Sequence, residues 1–320
     1  MEHFVTLIDS LFLPQVLALH ASMQRSCGRF TLWVLCVDDV AHQVLERLSL
    51  PDLRLLRLSS LETAGLLAVR AGRTRAEYCW TLTPFAPRFV FEAERSAARV
   101  TYLDADLWFL RSPEPLFREM EAAKRGVLIT EHAYAPRYDQ SVLSGRFCVQ
   151  FVSFCRETPQ PVREWWEARC MEWCFARFEN GLFGDQKYLD DWPERFATSV
   201  HVLEDASLAA APWNAERFDP REAVFFHFHS LRLLRGGMVM LAGGYELPRV
   251  AREHIYEPYI RALGEAVFRL RSVGWEAPAQ DRRAPWVRAL LNLSVALRQG
   301  WREPFAQAKV RRLPLPSKGR

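Results

Sequence analysis

The amino-terminal part of the chain alternates short apolar runs with amphipathic segments, and this alternation constrains the fold more than any other feature. Apolar runs at Phe4–Ile8, Thr31–Val37 and Leu53–Leu58 predict buried strands. Helices are predicted between them, the first with Pro14 in its first turn and the second over residues 41–48. Strands that alternate with helices are typical of a parallel, doubly wound sheet. The sequence therefore predicts an α/β fold with a mostly parallel sheet flanked by helices.

Two aspartates, Asp104 and Asp106, occur in a further apolar run from Val100 to Phe109. Side chains two residues apart in an extended backbone point to the same side, so both carboxylates can reach one point. The carboxyl edge of a parallel sheet is where α/β proteins bind ligands, and carboxylate oxygens suit Mg²⁺ or Mn²⁺. The run indicates either a divalent-metal site beside a nucleotide or a strand followed by a capped turn.

A strand predicted over residues 223–230 places His227 and His229 on one face. Two histidines on one face at a strand end indicate a role in binding a metal or a phosphate, although a buried histidine is often only a core residue. The alternative of two satisfied core side chains stays open at this point.

Two polar segments add further candidates. In residues 183–189, Asp185 and Gln186 follow a glycine where a helix begins, so their side chains face a cleft or serve as an ordinary N-cap. The arginines of Arg70–Arg75 suit a diphosphate, because guanidinium matches phosphate geometry, or they form a solvated approach to the next helix.

The charge distribution argues against a nucleic-acid partner. The chain carries 42 Lys and Arg against 38 Asp and Glu, a net charge of +4. Residues 281–320 alone carry ten basic and two acidic side chains, so the remainder is mildly acidic. A nucleic-acid binder would spread a basic face over its fold. A basic tail on an acidic body instead suggests a local anionic partner such as a membrane surface.

The cysteines and the amino terminus point to the cytoplasm. The seven cysteines include no C-x-x-C pair, and Cys170 with Cys174 lacks a second pair to complete a zinc site. We expect buried free thiols in a reducing compartment. Glu2 and Asp9 do not fit a signal peptide, and no uncharged run approaches the ~18 apolar residues of a spanning helix.

The chain changes character after residue 248, and we predict a main domain over 1–248 and a helical, basic extension over 249–320. A stripe at helical spacing contains Trp286, Leu290, Leu293, Leu297 and Trp301. This helix either caps the domain ahead of a disordered tail or anchors the protein at an anionic membrane surface.

Several nucleotide and nucleophile motifs are absent from the sequence. It holds no G-x-x-x-x-G-K-[ST] phosphate loop and no G-x-S-x-G elbow. It also lacks G-x-G-x-x-G after the first strand, which argues against a dinucleotide-dependent enzyme.

Taken together, the motifs resemble those of GT-A fold glycosyltransferases, most closely family 8, the retaining sugar transferases that include bacterial lipopolysaccharide galactosyltransferases and glycogenin. The resemblance extends over about residues 4–232. It is carried by the Y-L-D-A-D run Tyr102–Asp106, the F-G-D-Q-K-Y-L run Phe183–Leu189 and the H-F-H run His227–His229, in that order after Asp9. It implies a mixed, mostly parallel sheet and a catalytic domain over residues 1–248.

The resemblance also implies roles for individual residues. Asp104 and Asp106 would hold Mn²⁺ or Mg²⁺ on the donor's diphosphate, with His227 as a further ligand and His229 as the alternative. Thr6 and Asp9 would meet the nucleotide base and ribose. Donor-sugar hydroxyls would bind Asp185, and Gln186 would lie beneath the anomeric carbon.

Three departures from the family pattern bear on these roles. Trp80 stands where the family has an arginine, and we expect Arg75 or Arg73 to substitute for it in binding the donor. The family's F-N-A-G run reads Phe147–Gln150 here, without the asparagine and glycine, and Lys187 replaces an aspartate.

The resemblance thus implies a metal-dependent hexosyltransferase that uses a nucleotide-sugar donor, with UDP as the expected nucleotide. The expected acceptor is a glycan or glycolipid of bacterial surface polysaccharide or lipopolysaccharide, reached from the cytoplasmic face of the membrane. The alternative is a catalytically degenerate relative that binds a sugar nucleotide or scaffolds glycan assembly. A nucleotidyltransferase would carry a glycine-rich basic loop after the first strand, and Asp9–Phe12 is not such a loop.

Overall fold

The computed structural model describes residues 1–158, 160–234, 237–276 and 310–316. The strands are β1 Glu2–Ile8, β2 Phe30–Cys36, β3 Leu53–Arg57, β4 Arg99–Leu103, β5 Leu107–Phe109, β6 Val127–Glu131, β7 Phe147–Cys155, β8 Val200–Val202, β9 Ala209–Ala210, β10 Phe225–His227, β11 Arg232–Leu234, β12 Met238–Met240 and β13 Val310–Arg312.

The α-helices are α1 Leu13–Ser26, α2 Asp39–Leu48, α3 Ala64–Arg70, α4 Arg75–Leu82, α5 Phe85–Ala93, α6 Glu114–Ala122, α7 Ser141–Ser144, α8 Val162–Glu172, α9 Trp192–Arg195, α10 Arg249–Ala251 and α11 Glu257–Ser272. A π-helical stretch, Arg252–Tyr256, joins the last two. Short 3₁₀ helices cover Ser10–Phe12, Leu58–Ser60, Pro136–Tyr138, Lys187–Asp191 and Ala206–Leu208.

A seven-stranded sheet in the order β3-β2-β1-β4-β7-β6-β8 forms the centre of the fold. The pairings of β1 with β2 and β4, of β2 with β3 and of β6 with β8 are parallel, whereas β7 runs antiparallel to β4 and β6. Helices cover both faces, because β1 buries Phe4 and Ile8 in one apolar cluster and Val5 in the other. The mixed, mostly parallel α/β sheet that the sequence predicts is confirmed.

The parallel strands β1, β2 and β4 end at the same edge of this sheet. Beside that edge, β5 pairs antiparallel with β10, which pairs parallel with β9. This small sheet brings the residues that follow β4 close to those at the end of β10. Elements more than a hundred residues apart in the chain therefore meet at the edge where α/β folds bind ligands.

Three predicted elements are interrupted in the structure. The single helix expected after Arg75 is two helices, α4 and α5, separated at Thr83 and Pro84, because proline has no N–H and restricts the residue before it. The run from Val100 to Phe109 is broken by a turn between β4 and β5, closed by the Leu107 N–H to the Asp104 carbonyl at 3.2 Å. The strand expected over 223–230 is confined to β10.

The carboxyl-terminal part of the described chain packs on the main body. Ala266 and Leu270 of α11, with Trp275, lie in the same apolar cluster as residues of α1 and the central sheet. A three-stranded sheet orders β11, β12 and β13, and Leu313 after β13 is buried. The backbone at Pro314 crosses α11 so closely that a Cβ on Gly264 would lie 1.8 Å from the Pro314 carbonyl oxygen.

The division of the chain at residue 248 stays a prediction. The stripe from Trp286 to Trp301 lies outside the described residues. Within the described residues, no helix combines the length and apolar character needed to cross a bilayer.

Candidate functional site

Asp104, Asp106 and His227 converge at the carboxyl edge of the sheet. The turn between β4 and β5 carries both aspartates, and the β5–β10 ladder sets His227 opposite Leu107. The Nε2 of His227 lies 3.1 Å from Asp106 Oδ1 and 3.6 Å from Asp104 Oδ2. One potential ligand atom from each of the three residues falls within 4.8 Å of the others. The turn, rather than an extended strand, aims both carboxylates at one point.

Buried polar side chains hold the three residues in place. Gln150 on β7 is fully buried, and its Oε1 lies 2.8 Å from Nδ1 of His227. The amide nitrogen of Gln150 lies 3.4 Å from the Thr130 hydroxyl on β6. On the other side, the Tyr102 hydroxyl donates to Asp104 Oδ1 at 2.9 Å. These contacts orient the imidazole and one carboxylate before any ligand arrives.

The electrostatics of this group favour a positive charge. Burial raises the pKa of Asp104, and the charge on Asp106 adds to that rise. Burial alone would lower the pKa of His227, but the charge of Asp106 outweighs it and raises that pKa well above the usual value. The three side chains therefore stabilise one cation among them, as a proton on the imidazole or as a bound metal ion.

The donor set fits Mn²⁺ or Mg²⁺. Two carboxylate oxygens and one imidazole nitrogen form a mixed, oxygen-rich set, which suits hard or borderline divalent cations. The side chains keep between 6% and 24% of their surface accessible, so a ligand can reach them. Asp104, Asp106 and His227 are the residues that would hold the ion.

His229 lies outside this group. His229 follows the end of β10 and lies in a turn. In this turn the Leu231 N–H donates to the Phe228 carbonyl at 3.0 Å, and Ser230 adopts φ +67°. The ring is exposed, with its centroid 5.8 Å from that of His227. Its part as a metal ligand stays a prediction.

The neighbouring strand ends form an acidic edge bridged by an arginine. Asp9 follows β1 and accepts the Leu11 N–H at 2.9 Å, while Asp38 follows β2 and caps α2. Arg75, the first residue of α4, places Nε 3.0 Å from Asp9 and also bonds to Asp38. More than half of the Arg75 side chain is accessible, so its guanidinium is open to a phosphate from solvent.

Thr6 lies on β1 upstream of this edge. It is fully buried, and its hydroxyl has no hydrogen-bond partner within the described parts of the chain. A buried hydroxyl without a partner is unusual and calls for a physical explanation such as a ligand.

Of the two arginines considered for the donor, only Arg75 contacts the acidic edge. Arg73 donates to the Met171 carbonyl at 2.8 Å and to the Thr81 hydroxyl, and its guanidinium lies over the ring of Phe175. Arg73 therefore joins α4 to the end of α8.

A tight backbone turn delivers Asp185 to the site. Gly184 adopts φ +55°, and a Cβ there would approach the ring of Trp80 to 3.3 Å. Trp80 also packs 6.0 Å from the ring of Phe183. The tryptophan that replaces the family's arginine thus supports the segment that carries Asp185.

Asp185 is a buried carboxyl with one unused oxygen. It is 3% exposed, and its Oδ2 has no hydrogen-bond partner among the described residues. Burial raises its pKa to about 7, and the charge on Asp104 contributes, while the Thr83 hydroxyl acts in the opposite direction. Such a group can accept a hydrogen bond from a ligand hydroxyl when ionised.

Gln186 follows at the start of the Lys187–Asp191 helix, and its amide nitrogen donates to the Ser144 carbonyl at 2.8 Å. Lys187 donates to the Ser141 carbonyl at 2.9 Å. These two bonds attach both ends of α7 to the segment that carries Asp185. Because its nitrogen is engaged, the half-buried Gln186 can offer its carbonyl oxygen to a ligand.

Sequence reasoning missed three residues of this site. Asp38 ends β2 as Asp9 ends β1, and this repeated strand-end carboxylate was the available signal. Tyr102 precedes Asp104 by two residues, so the side-chain alternation placed it near the site. Gln150 was considered only as a departure from the family's F-N-A-G run, since its partner His227 is 77 positions away in the chain.

Comparisons with known proteins agree with this architecture. No protein-family model matches the chain. The chain is similar to two uncharacterized proteins of Bacillus subtilis: YfnD, 29% identical over 84% of this chain and 91% of the relative, and YfnF, 29% identical over 72% and 82%.

Among solved structures, the chain is similar to the galactosyltransferase LgtC bound to donor and acceptor sugar analogs, with 11% identity, 82% and 95% of the two chains covered and a TM-score of 0.50. It is also similar to apo GlyE of Streptococcus pneumoniae, with 14% identity, 88% and 65% coverage and a TM-score of 0.50. The bifunctional WbbM gives 13% identity, 87% and 52% coverage and a TM-score of 0.51. The GT-A fold that the resemblance implied is confirmed.

Proposed function

We propose that this chain is a metal-dependent glycosyltransferase that moves a sugar from a UDP-linked donor to a glycan or glycolipid, with retention of anomeric configuration. The convergence of Asp104, Asp106 and His227 carries the proposal. It supports a divalent-metal site at the edge where α/β sheets bind ligands, and Asp185, with its unused carboxylate oxygen, lies close enough to feel the charge on Asp104. The similarity to two solved glycosyltransferases, LgtC and GlyE, supports it.

Different residues of the chain bind the nucleoside, the diphosphate and the sugar of the donor. Thr6 and Asp9 meet the nucleoside at the end of β1, and Arg75 faces the diphosphate from the start of α4. A bound Mn²⁺ or Mg²⁺ supplies charge neutralisation for the departing nucleoside diphosphate. Asp185 accepts a hydrogen bond from a hydroxyl of the donor sugar.

Gln186 explains the retaining outcome that we propose. The transition state of glycosyl transfer carries positive character at the anomeric carbon, which a nearby carbonyl oxygen stabilises. An amide oxygen is a poor covalent nucleophile. We therefore assign a front-face displacement, in which the acceptor attacks from the side that the nucleoside diphosphate leaves.

The acceptor that we propose is presented at the inner face of the bacterial cell membrane, on an intermediate of surface polysaccharide or lipopolysaccharide. The basic, tryptophan-containing tail of the sequence supports this part. Binding of the full chain to vesicles with and without phosphatidylglycerol tests it. Substituting Trp286 and Trp301 by alanine should reduce binding to the anionic vesicles, and unaltered binding would contradict it.

The central experiment measures UDP release from a panel of UDP-sugars in the presence of Mn²⁺. Slow hydrolysis is expected without acceptor, and Asp106→Asn should lower it at least about 100-fold because a charged metal ligand is lost. Glu119→Gln is the matched control, since Glu119 lies in a second acidic and histidine group, with His201 and Glu204, that shares no residue with the first. Nucleotide-sugar binding without any turnover would instead identify a degenerate, binding-only protein.

A further inference from the structure

A small group of rings lies beside the metal-binding residues, apart from the main cores. Its centre is the buried side chains of Cys148, Ala211 and Trp213. Around them pack the half-buried rings of Tyr134, Tyr138 and Tyr245. We call Trp213 and the three tyrosines the aromatic wall.

The aromatic wall adjoins the metal site directly. The Trp213 ring lies 5.3 Å from that of His227, at 90°, and 5.4 Å from that of His229. The Tyr245 ring lies 5.9 Å from that of His229. The His229 ring thus lies between Tyr245 and the His227 imidazole, which faces Asp104 and Asp106. A ligand that contacts Tyr245 is therefore close to the metal site.

The wall is built to stay rigid. The guanidinium carbon of Arg137 lies 4.7 Å from the centre of the Tyr138 ring, and Arg137 pairs with Glu246 at 2.7 Å. The Tyr138 hydroxyl accepts the Glu246 N–H, also at 2.7 Å, which fixes the loop that carries Tyr245. The Trp213 indole N–H donates to the His132 carbonyl at 2.8 Å. Preorganised aromatic surface of this kind costs little entropy when it binds a ligand.

The aromatic wall also has a ring face and hydroxyl groups that are free to bind a ligand. The rings that flank Tyr245 meet it at steep angles of 64° to 76°, and no ring of the described chain stacks parallel on it. Within the same described residues, the hydroxyls of Tyr134 and Tyr245 have no hydrogen-bond partner, and both side chains are only half-buried. An aromatic face beside free hydroxyls suits a ligand with both C–H faces and hydroxyl groups.

We infer that the aromatic wall is the subsite for the acceptor's terminal sugar ring, with Tyr245 as its stacking residue. This inference rests on the proposed transferase function. The C–H face of a pyranose packs on the Tyr245 ring, while its hydroxyls bond to the free phenol groups of Tyr134 and Tyr245. A lipid chain would leave those hydroxyls unpaired, so a carbohydrate fits better than the apolar part of a glycolipid.

The test uses the full chain with Mn²⁺ and a UDP-sugar that it hydrolyses. Methyl glycosides of glucose, galactose and N-acetylglucosamine serve as soluble acceptors, and the ratio of sugar transfer to donor hydrolysis is measured. Tyr245→Ala should lower this ratio at least about tenfold, through a higher KM for the glycoside, since an aromatic contact of this kind is removed. Tyr245→Phe should retain most of it, because the stacking face remains.

Phe178→Ala is the matched control, since Phe178 is an exposed aromatic residue, 46% accessible, outside the wall. An unchanged ratio in Tyr245→Ala would overturn the inference. Saturation-transfer NMR measures binding of the same glycosides directly, and a wild-type chain that binds none of them would also overturn it. Failure of the proposed function would look different, because donor hydrolysis itself would be absent.

Discussion

The side chain of Gln150 determines which imidazole nitrogen of His227 faces the aspartates. Its Oε1 lies 2.8 Å from Nδ1, and a carboxamide oxygen only accepts, so Nδ1 keeps its hydrogen. Nε2 is then the nitrogen that a metal ion would take, 3.1 Å from Asp106 Oδ1. Unlike a carboxylate in the same place, the amide adds no negative charge behind the ring. Gln150 is therefore a positioning residue for the metal site.

Replacing Gln150 by leucine should weaken Mn²⁺ binding about 10- to 100-fold, the usual cost of losing the partner that orients a metal-binding histidine. The cause is a freely turning imidazole, so the effect should appear in the Mn²⁺ affinity more than in the melting temperature. Titration of Mn²⁺ followed by electron paramagnetic resonance, with UDP present, measures it.

Ser153→Ala provides the control for that variant. Ser153 is a fully buried residue of the same strand, β7, and its hydroxyl bonds to that of Thr101 at 2.9 Å rather than to a residue of the metal site. Its replacement should leave Mn²⁺ affinity within about twofold of wild type. Equal losses in the two variants would mean that Gln150 acts only through general stability.

Arg75 gives a second prediction, because it bridges Asp9 and Asp38 at the edge where the nucleotide should lie. Arg75→Ala should raise the Kd for UDP, measured calorimetrically with Mn²⁺, by about tenfold, the value of one charge-assisted contact. Arg70→Ala is the control, since Arg70 is equally accessible but pairs with Glu62. Wild-type UDP affinity in Arg75→Ala would remove Arg75 from the donor site.

Local patterns predicted the sheet well. Apolar runs identified β1, β2 and β3, because such runs depend on residues close together in the sequence. Turns that interrupt a predicted strand were harder to predict. The turn at Asp104 to Asp106 is held by β5, whose partner β10 lies more than a hundred residues downstream, and no local period reports such a pairing.

The sequence named those residues of the candidate site that stand at strand ends, and it missed those that act through contacts between distant segments. Asp104, Asp106 and His227 are recognisable as ligand types in a motif. Gln150 and the rings of Tyr134, Trp213 and Tyr245 become meaningful only through their distance to His227 and to one another. Such contacts between distant segments carry no spacing signature in a single sequence.

The raised pKa of Asp185 predicts a pH-dependent stability. Folding raises this pKa from the ordinary value of 3.8 to about 7, chiefly by burial, so the folded state binds the proton more tightly than the unfolded chain. Stability should therefore fall as pH rises from about 4 to about 7 and stay reduced above it. Asp185→Asn mimics the neutral acid and removes this penalty.

In metal-free protein, Asp185→Asn should raise the melting temperature at pH 8 by at least about 2 °C relative to wild type, since each kcal/mol moves it a few degrees. The difference should shrink at pH 5, where the wild-type carboxyl is protonated in the fold. Differential scanning fluorimetry across pH 5–8 measures both. A difference that does not depend on pH would contradict the assigned titration.

Substitution of Gln186 should affect the rate of sugar transfer but not the affinity for the donor. Gln186→Ala should leave the Kd for a UDP-sugar nearly unchanged and lower the transfer rate about 100-fold, because its carbonyl oxygen acts on charge that develops only in the transition state. The substitution also breaks the bond to the Ser144 carbonyl and could loosen α7. Lys187→Met breaks the companion bond to Ser141, and the ion pair with Asp190 at 2.8 Å, without changing Gln186, so it reports the effect of loosening this segment. If both variants slow transfer equally, the loss comes from α7, and the role of Gln186 at the anomeric carbon is wrong.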